Sequence, residues 1–299
     1  MIFTFFQTLL THLLLPLTFI ISLWRASFNS KLDWISQSLF TLMLVIWAFL
    51  AIPWDWSSYY LRFLWPLLLI PAVYSSWKKA KTLPFRIPFT LSQKLSIGFN
   101  IVLFLFFGGY TIYSLSGLTT KDTAIELEFP LKDGTYYVRQ GGNSVSINYH
   151  NAYQSQQYAI DITKLNALGM RSTGIYPEKL NNYYIYGDKL YAPCAGLIVS
   201  ARNDLPDSNP PKSDPKNASG NHVVIQCEQE EVEVLIAHML EGSVAVTEGD
   251  RIKKGQPIGM IGNSGNTSEP HLHIHAEKDG KGVPIKFDGR FIVRNSLVW

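Results

Sequence analysis

Pro270-His271-Leu272-His273-Ile274-His275 holds three of the chain's seven histidines. In an extended strand successive side chains alternate faces, so His271, His273 and His275 project to one side and Leu272 and Ile274 to the other. Three imidazoles on one face, backed by apolar residues that seat the strand in a core, form a ligand or catalytic surface. The Gly-rich run before it, Gly259 to Gly265, does not follow the spacing of a phosphate-binding loop and reads as a tight turn feeding the histidine strand.

Outward from this strand, everything after residue 120 is built from short β-branched and aromatic runs broken by Gly, Asn, Asp and Pro, which reads as strands and turns. Strands are expected over 124–129, 136–139, 144–150, 158–162, 196–202, 222–227, 232–239, 257–261 and 271–277, giving a mainly antiparallel β domain. The acidic run Glu228-Gln229-Glu230-Glu231 reads as a solvated hairpin tip. Between Arg202 and Asn221 the prolines Pro206, Pro210, Pro211 and Pro215 exclude both helix and strand interior. A loop of that length in a compact domain is functional or disordered. Cys194 and Cys227 are the only cysteines. Pairing Val199 opposite His222 would set them across from one another, so a cross-strand disulfide and two buried thiols are both open readings.

Asp161 stands in the middle of Tyr158-Ala159-Ile160-Asp161-Ile162, on the face away from the three large apolar side chains. A carboxylate there is costly unless it is paired, hydrogen-bonded or bound to a metal. Together with the histidines it suits a catalytic zinc, whose protein ligands leave one position open for water.

The first 120 residues differ in kind. They carry eight Lys/Arg and two Asp, a net of +6, whereas the remainder nets −3. At 47% hydrophobic and 16% charged the chain is too apolar for an ordinary soluble protein, in which about a quarter of residues are charged, and no basic face points to nucleic acid. Four apolar stretches, near 2–24, 36–54, 59–76 and 96–116, match the roughly 20 residues needed to cross hydrocarbon as a helix. The first lacks a basic n-region and a small-residue cleavage site, so it reads as a retained helix. Arg25 and Lys31 follow the first stretch, and Lys78, Lys79, Lys81, Arg86 and Lys94 follow the third; both loops should be cytoplasmic. The expectation is therefore a multi-pass membrane protein with everything after residue 120 outside the cytoplasm. His12 has no ionisable neighbour within its helix and reads as a packed residue.

The run Gly255-Gln256-Pro257-Ile258-Gly259, Gly262-Asn263-Ser264-Gly265-Asn266-Thr267 and Pro270-His271-Leu272-His273, preceded by Ala192-Pro193, Gly220-Asn221-His222-Val223-Val224-Ile225 and Ala237-His238-Met239, resembles the lysostaphin-like (LytM-type) zinc metallopeptidases that cut peptide bonds in bacterial peptidoglycan. The resemblance covers about residues 145–285 and leaves the apolar stretches untouched. It implies a lysostaphin-like peptidase fold over 151–299, while the apolar stretches make 1–120 a four-helix transmembrane anchor and 121–150 a juxtamembrane β segment. It makes Asp161 the carboxylate zinc ligand and His273 a histidine ligand. His271 and His238 match the two active-site histidines that do not bind metal, with His271 as general base, His238 as oxyanion stabiliser, and the two roles exchangeable. The family's further ligand is a histidine four residues before the aspartate, and this chain has Gln157 there. His150 is the favoured replacement, His275 the second candidate, and a site without a working third ligand the remaining reading.

The implied activity is zinc-dependent hydrolysis of cell-wall peptides by a membrane-anchored enzyme, with peptidoglycan peptides and the lipid membrane as partners. The competing reading is a degenerate relative that binds wall peptides or regulates another hydrolase without cleaving. A third, from the similarity of the 248–256 segment to lipoyl-like carrier hairpins, leaves the three histidines unexplained.

Overall fold

The computed structural model describes residues 2–228 and 231–299. Gln229 and Glu230, the centre of the expected acidic tip, lie outside the described residues. Two compact units divide the chain, Ile2–Leu115 and Ser116–Trp299.

The first unit is helical. Phe3–Arg25, Lys31–Ala51 and Leu91–Ser116 are each long and apolar enough to cross a membrane. The third expected span is also a helix, Leu61–Ala80, but it is not among those three. Arg62, the prolines Pro66 and Pro71, and the pair Lys78-Lys79 dilute its apolar content. The second helix begins five residues before its apolar run because Ser30 caps it, its hydroxyl accepting from the Asp33 amide at 3.1 Å. Ile20, Leu23, Val45, Ala48, Trp65 and Leu69 bury together, and Trp34 donates to the Ser76 hydroxyl at 2.9 Å. His12 is buried on a π-helical turn, Leu9–Leu14, with its ring edge-on to Trp54 at 5.0 Å.

The second unit is mainly antiparallel β. Its principal sheet runs, in spatial order, Leu297–Val298, Thr135–Gln140, Ile160–Leu165, Leu272–Lys278, Glu233–Met239, Asn221–Cys227, Gly196–Arg202 and Arg251–Ile252. Lys281–Val283 pairs with the end of the histidine strand. Lys189–Tyr191 and Pro257–Met260 form a separate ribbon, and Ile125–Leu127 runs parallel to Ile285–Phe287. The histidine strand is central, with His273 opposite Asp161 on one side and Ala237 on the other. Alternation does the rest. Leu272, Ile274, Ile160, Ile162, Val234 and Ile236 turn one face into the core, each such burial stabilising by about 1.5–3 kcal/mol, and the opposite face carries Asp161, His273 and His275.

Two expectations differ from what forms. Residues 144–150 are not a strand; they make a turn that runs into a 3-10 helix, Tyr149–Ala152. Asn148 is the reason, because its buried side chain donates to the Gly142 and Ala159 carbonyls, both at 3.0 Å, and accepts from the His150 amide. These side-chain bonds hold the segment in a turn in place of strand pairing. Cys194 and Cys227 are joined in a disulfide, with Cα atoms 5.8 Å apart, but the register is not the one expected. Arg202, not Val199, lies opposite His222, and Gly196 lies opposite Cys227. A bulge between Ile198 and Ser200 shifts the pairing by one residue along the way.

The proline-rich loop is strapped down. Buried Asn221 accepts from the Leu205 amide at 2.9 Å and donates to the Leu205 carbonyl at 2.7 Å. Asp207 accepts from the Glu241 and Asn263 amides, and the Ser208 amide donates to the Asn263 carbonyl at 3.1 Å. The loop thereby braces the turn that leads into the histidine strand.

Candidate active site

Asp161 is the centre of a buried cluster. The 3-10 turn that displaced the expected strand delivers His150, whose Nε2 lies 3.0 and 3.1 Å from the two Asp161 carboxylate oxygens. His273, paired across the sheet, places Nδ1 at 2.9 Å from Asp161 Oδ1. His271 reaches the same oxygen at 3.6 Å through Nε2. Of the residues expected to form the site, His150, Asp161, His238, His271 and His273 are all brought together.

Among the described residues, two three-residue groups could hold a metal ion, His150–Asp161–His273 and His238–His271–His273, the donor atoms of each lying within 4.8 Å of one another. His275 stands differently. Its Nδ1 is 3.0 Å from His273 Nε2, so it meets the nitrogen of His273 that faces away from Asp161. Gln157 is directed elsewhere, to the Gly282 carbonyl at 3.5 Å. His222 turns Nδ1 to the Gly220 carbonyl at 2.8 Å.

Backbone carbonyls set the tautomers of the other two rings. His271 Nδ1 donates to the Glu269 carbonyl at 2.8 Å, and His238 Nδ1 donates to the Ser264 carbonyl at 2.9 Å. Each ring in its neutral form therefore presents an unprotonated Nε2. Both are set as proton acceptors, and His238 becomes a donor through Nε2 only after gaining a proton. His238 holds φ at +62°, a conformation costing about 1–3 kcal/mol in a side-chain-bearing residue and concentrated at functional sites. Gly220, also at positive φ, explains how the Ser264 carbonyl comes so close: a Cβ on it would collide with that carbonyl.

Burial and charge divide the cluster. Burial pushes the His271 ring down to about 4 and, with the His273 charge, His275 to about 3. His238 falls well below the ordinary imidazole range for the same first reason, reinforced by His271; burial also lowers His273. His150 goes the other way. Burial opposes its protonation, but the charge and hydrogen bonds of Asp161 outweigh it and raise the ring. Burial likewise works to raise Asp161, and the imidazoles of His150 and His271 overturn it, holding the carboxyl well below its usual value.

A cleft of about 360 Å³ opens onto the cluster, lined among others by Tyr149, His150, Tyr153, Ser219, His238 and His273. Tyr149 stacks on His150 with ring centroids 4.0 Å apart. Behind the cluster lies an ion group that the sequence reading passed over: Glu269, fully buried, between Arg139 and Arg171. Glu269 is adjacent to Pro270 and so falls at the edge of the decisive stretch. Nothing in the sequence marks Arg139 or Arg171, which reach it from distant segments.

Residues 183–285 carry a peptidase family M23 domain. That segment includes His238, His271, His273 and His275; His150 and Asp161 precede it. Among solved structures, a zinc-containing peptidase from Vibrio cholerae is 16% identical over 54% of this chain and 39% of that chain, with a TM-score of 0.33. A putative M23 peptidase from Pseudomonas aeruginosa is 13% identical over 62% and 57%, with a TM-score of 0.33. Lysostaphin from Staphylococcus simulans is 22% identical over 37% and 44%, with a TM-score of 0.24. The chain spans less than two thirds of the length of each of these proteins.

Proposed function

We propose that the chain is a membrane-anchored, zinc-dependent endopeptidase that hydrolyses peptide bonds in bacterial cell-wall peptidoglycan. The observation that carries the reading is the convergence of His150, Asp161 and His273 in one buried group beside two histidines whose Nε2 atoms are set to accept protons. A carboxylate flanked by imidazoles is the donor set of a catalytic zinc, and His150, beside Asp161, serves as the ligand that Gln157 does not supply. His275 acts behind His273: accepting from its Nε2–H, it holds the ring so that Nδ1 faces the metal position, the usual task of a metal ligand's outer partner.

Zinc held there would supply the Lewis acidity that polarises a scissile carbonyl and makes water nucleophilic near neutral pH. The chain's own residues do the rest. His271 Nε2, 3.6 Å from Asp161 Oδ1, takes the proton of the attacking water and returns it to the leaving amine. His238 Nε2 is the second acceptor and stabilises the developing oxyanion once protonated. The cleft beside Tyr149 and Tyr153 takes the peptide in extended form.

Four membrane crossings place both basic loops, 25–31 and 78–94, on one face, as the positive-inside rule requires. Three crossings that omit Leu61–Ala80 would put them on opposite faces. The four-crossing arrangement is therefore the one adopted here, with the β unit outside the cytoplasm, where its substrate lies.

The test uses the full chain in detergent, assayed for bound zinc and for cleavage of wall peptides. About one zinc per chain is expected, lost in Asp161→Ala, His273→Ala and His150→Ala but kept in His271→Ala and His275→Ala, with cleavage abolished in the first four. A wild-type chain that binds peptidoglycan without metal and without cleaving it would instead be a non-catalytic relative, the reading that Gln157 favours.

A further inference from the structure

We infer that Glu269, clamped between Arg139 and Arg171, is a positioning residue that fixes the tautomer of His271. The inference rests on the peptidase reading in taking His271 as the proton-transfer group. Glu269 Oε2 accepts from Arg171 Nε at 2.9 Å and from Nη2 at 2.6 Å, while Oε1 accepts from Arg139 Nη1. The two arginines come from separate parts of the β unit. Arg139 lies on the strand Thr135–Gln140, and Arg171 follows the strand Ile160–Leu165 and also donates to the Ile175 carbonyl at 3.0 Å. Glu269 is 0% exposed.

An ion group so buried is not retained for stability alone, since well-packed apolar residues of the same volume serve as well or better. What the charges add is location. The side chain of Glu269 is tied at both oxygens, and Pro270 restricts the backbone of the residue before it, so the direction of the Glu269 carbonyl is constrained from both ends. That direction is toward His271, whose Nδ1 lies 2.8 Å away, with the Thr267 hydroxyl donating to the same oxygen at 2.9 Å. A neutral imidazole has two tautomers, and the one with Nδ1–H leaves the Nε2 lone pair facing the Asp161 cluster. With the carbonyl displaced, the alternative Nε2–H form points its proton into the site, where it cannot act as a base. Loss of the orienting partner of a catalytic histidine is among the costliest changes that leave geometry intact.

The experiment is ¹⁵N-histidine NMR on the full chain in micelles, alongside kinetics and zinc analysis. Wild type should show His271 as the Nδ1–H tautomer. Glu269→Gln should show a mixture with the Nε2–H form, with kcat reduced roughly 10- to 100-fold, KM within about twofold and zinc content unchanged. Arg139→Gln, which keeps the Arg171 pair and so guards against a chain that fails to fold, should show the same mixture to a smaller degree. A pure Nδ1–H signal in these variants overturns the inference. Zinc lost together with the tautomer overturns it as well, because the role would then be general support. If wild type turns over no peptide, the peptidase reading fails while the tautomer result still decides the role of Glu269.

Discussion

His271 and His275 respond to acid differently from surface histidines. Both rings are held neutral by burial, at about 4 and about 3, whereas in the unfolded chain each titrates near the ordinary imidazole value of 6.5. Below that value the unfolded state binds protons that the folded state refuses, so stability falls as pH falls. Each ring contributes about 1.4 kcal/mol per pH unit until its own folded value is reached. His150, raised by Asp161, works in the opposite sense near the top of this window and less at lower pH; the Asp161 carboxyl is held well below its usual value. The melting temperature of the metal-free chain should therefore drop steadily from pH 6.5 to pH 4.5, and less steeply in His275→Gln. A flat profile across that range would mean that the rings are hydrated.

At the scale of elements, the site depends on how closely the turn at 262–265 approaches Gly220. Gly220→Ala would force a Cβ into the Ser264 carbonyl at a positive φ, displacing the acceptor that orients His238. The expected result is a chain less stable by about 1–3 kcal/mol, with wall-peptide cleavage down at least tenfold and zinc retained; unchanged turnover would detach His238 from the chemistry. The histidine strand and Asp161 are legible in the sequence because a two-residue period separates core from site without any knowledge of neighbours. Residues 144–150 are not, since their fate is decided by Asn148 reaching the Gly142 and Ala159 carbonyls, contacts that exist only once the sheet has formed. The same holds for the register around the disulfide, where Gly196 rather than Cys194 lies opposite Cys227, and for Arg171, whose partner Glu269 lies 98 residues away.

For the whole molecule, the open quantity is the number of crossings. The sequence shows four apolar stretches, and the third carries enough proline and charge that, among the described residues, three helices meet the length and apolarity a span needs. What favours four is the distribution of Lys and Arg around the helices, a property of loops that helix composition does not contain. A reporter enzyme that works only outside the cytoplasm, fused after Trp299, should be active; activity of a cytoplasmic reporter at that point would reverse the orientation and take the β unit away from the cell wall.

The bond between Cys194 and Cys227 lets that orientation be read without any fusion. A thiol in the cytoplasm is kept reduced, while one exposed to an oxidising compartment is committed soon after synthesis. Cells quenched with acid and treated with a bulky maleimide would label two thiols on a chain inserted the wrong way round and none on one inserted as proposed. The two populations would separate as bands on a gel. A single pair of sulfur atoms thus serves as a memory of which side of the membrane each copy of the domain folded on.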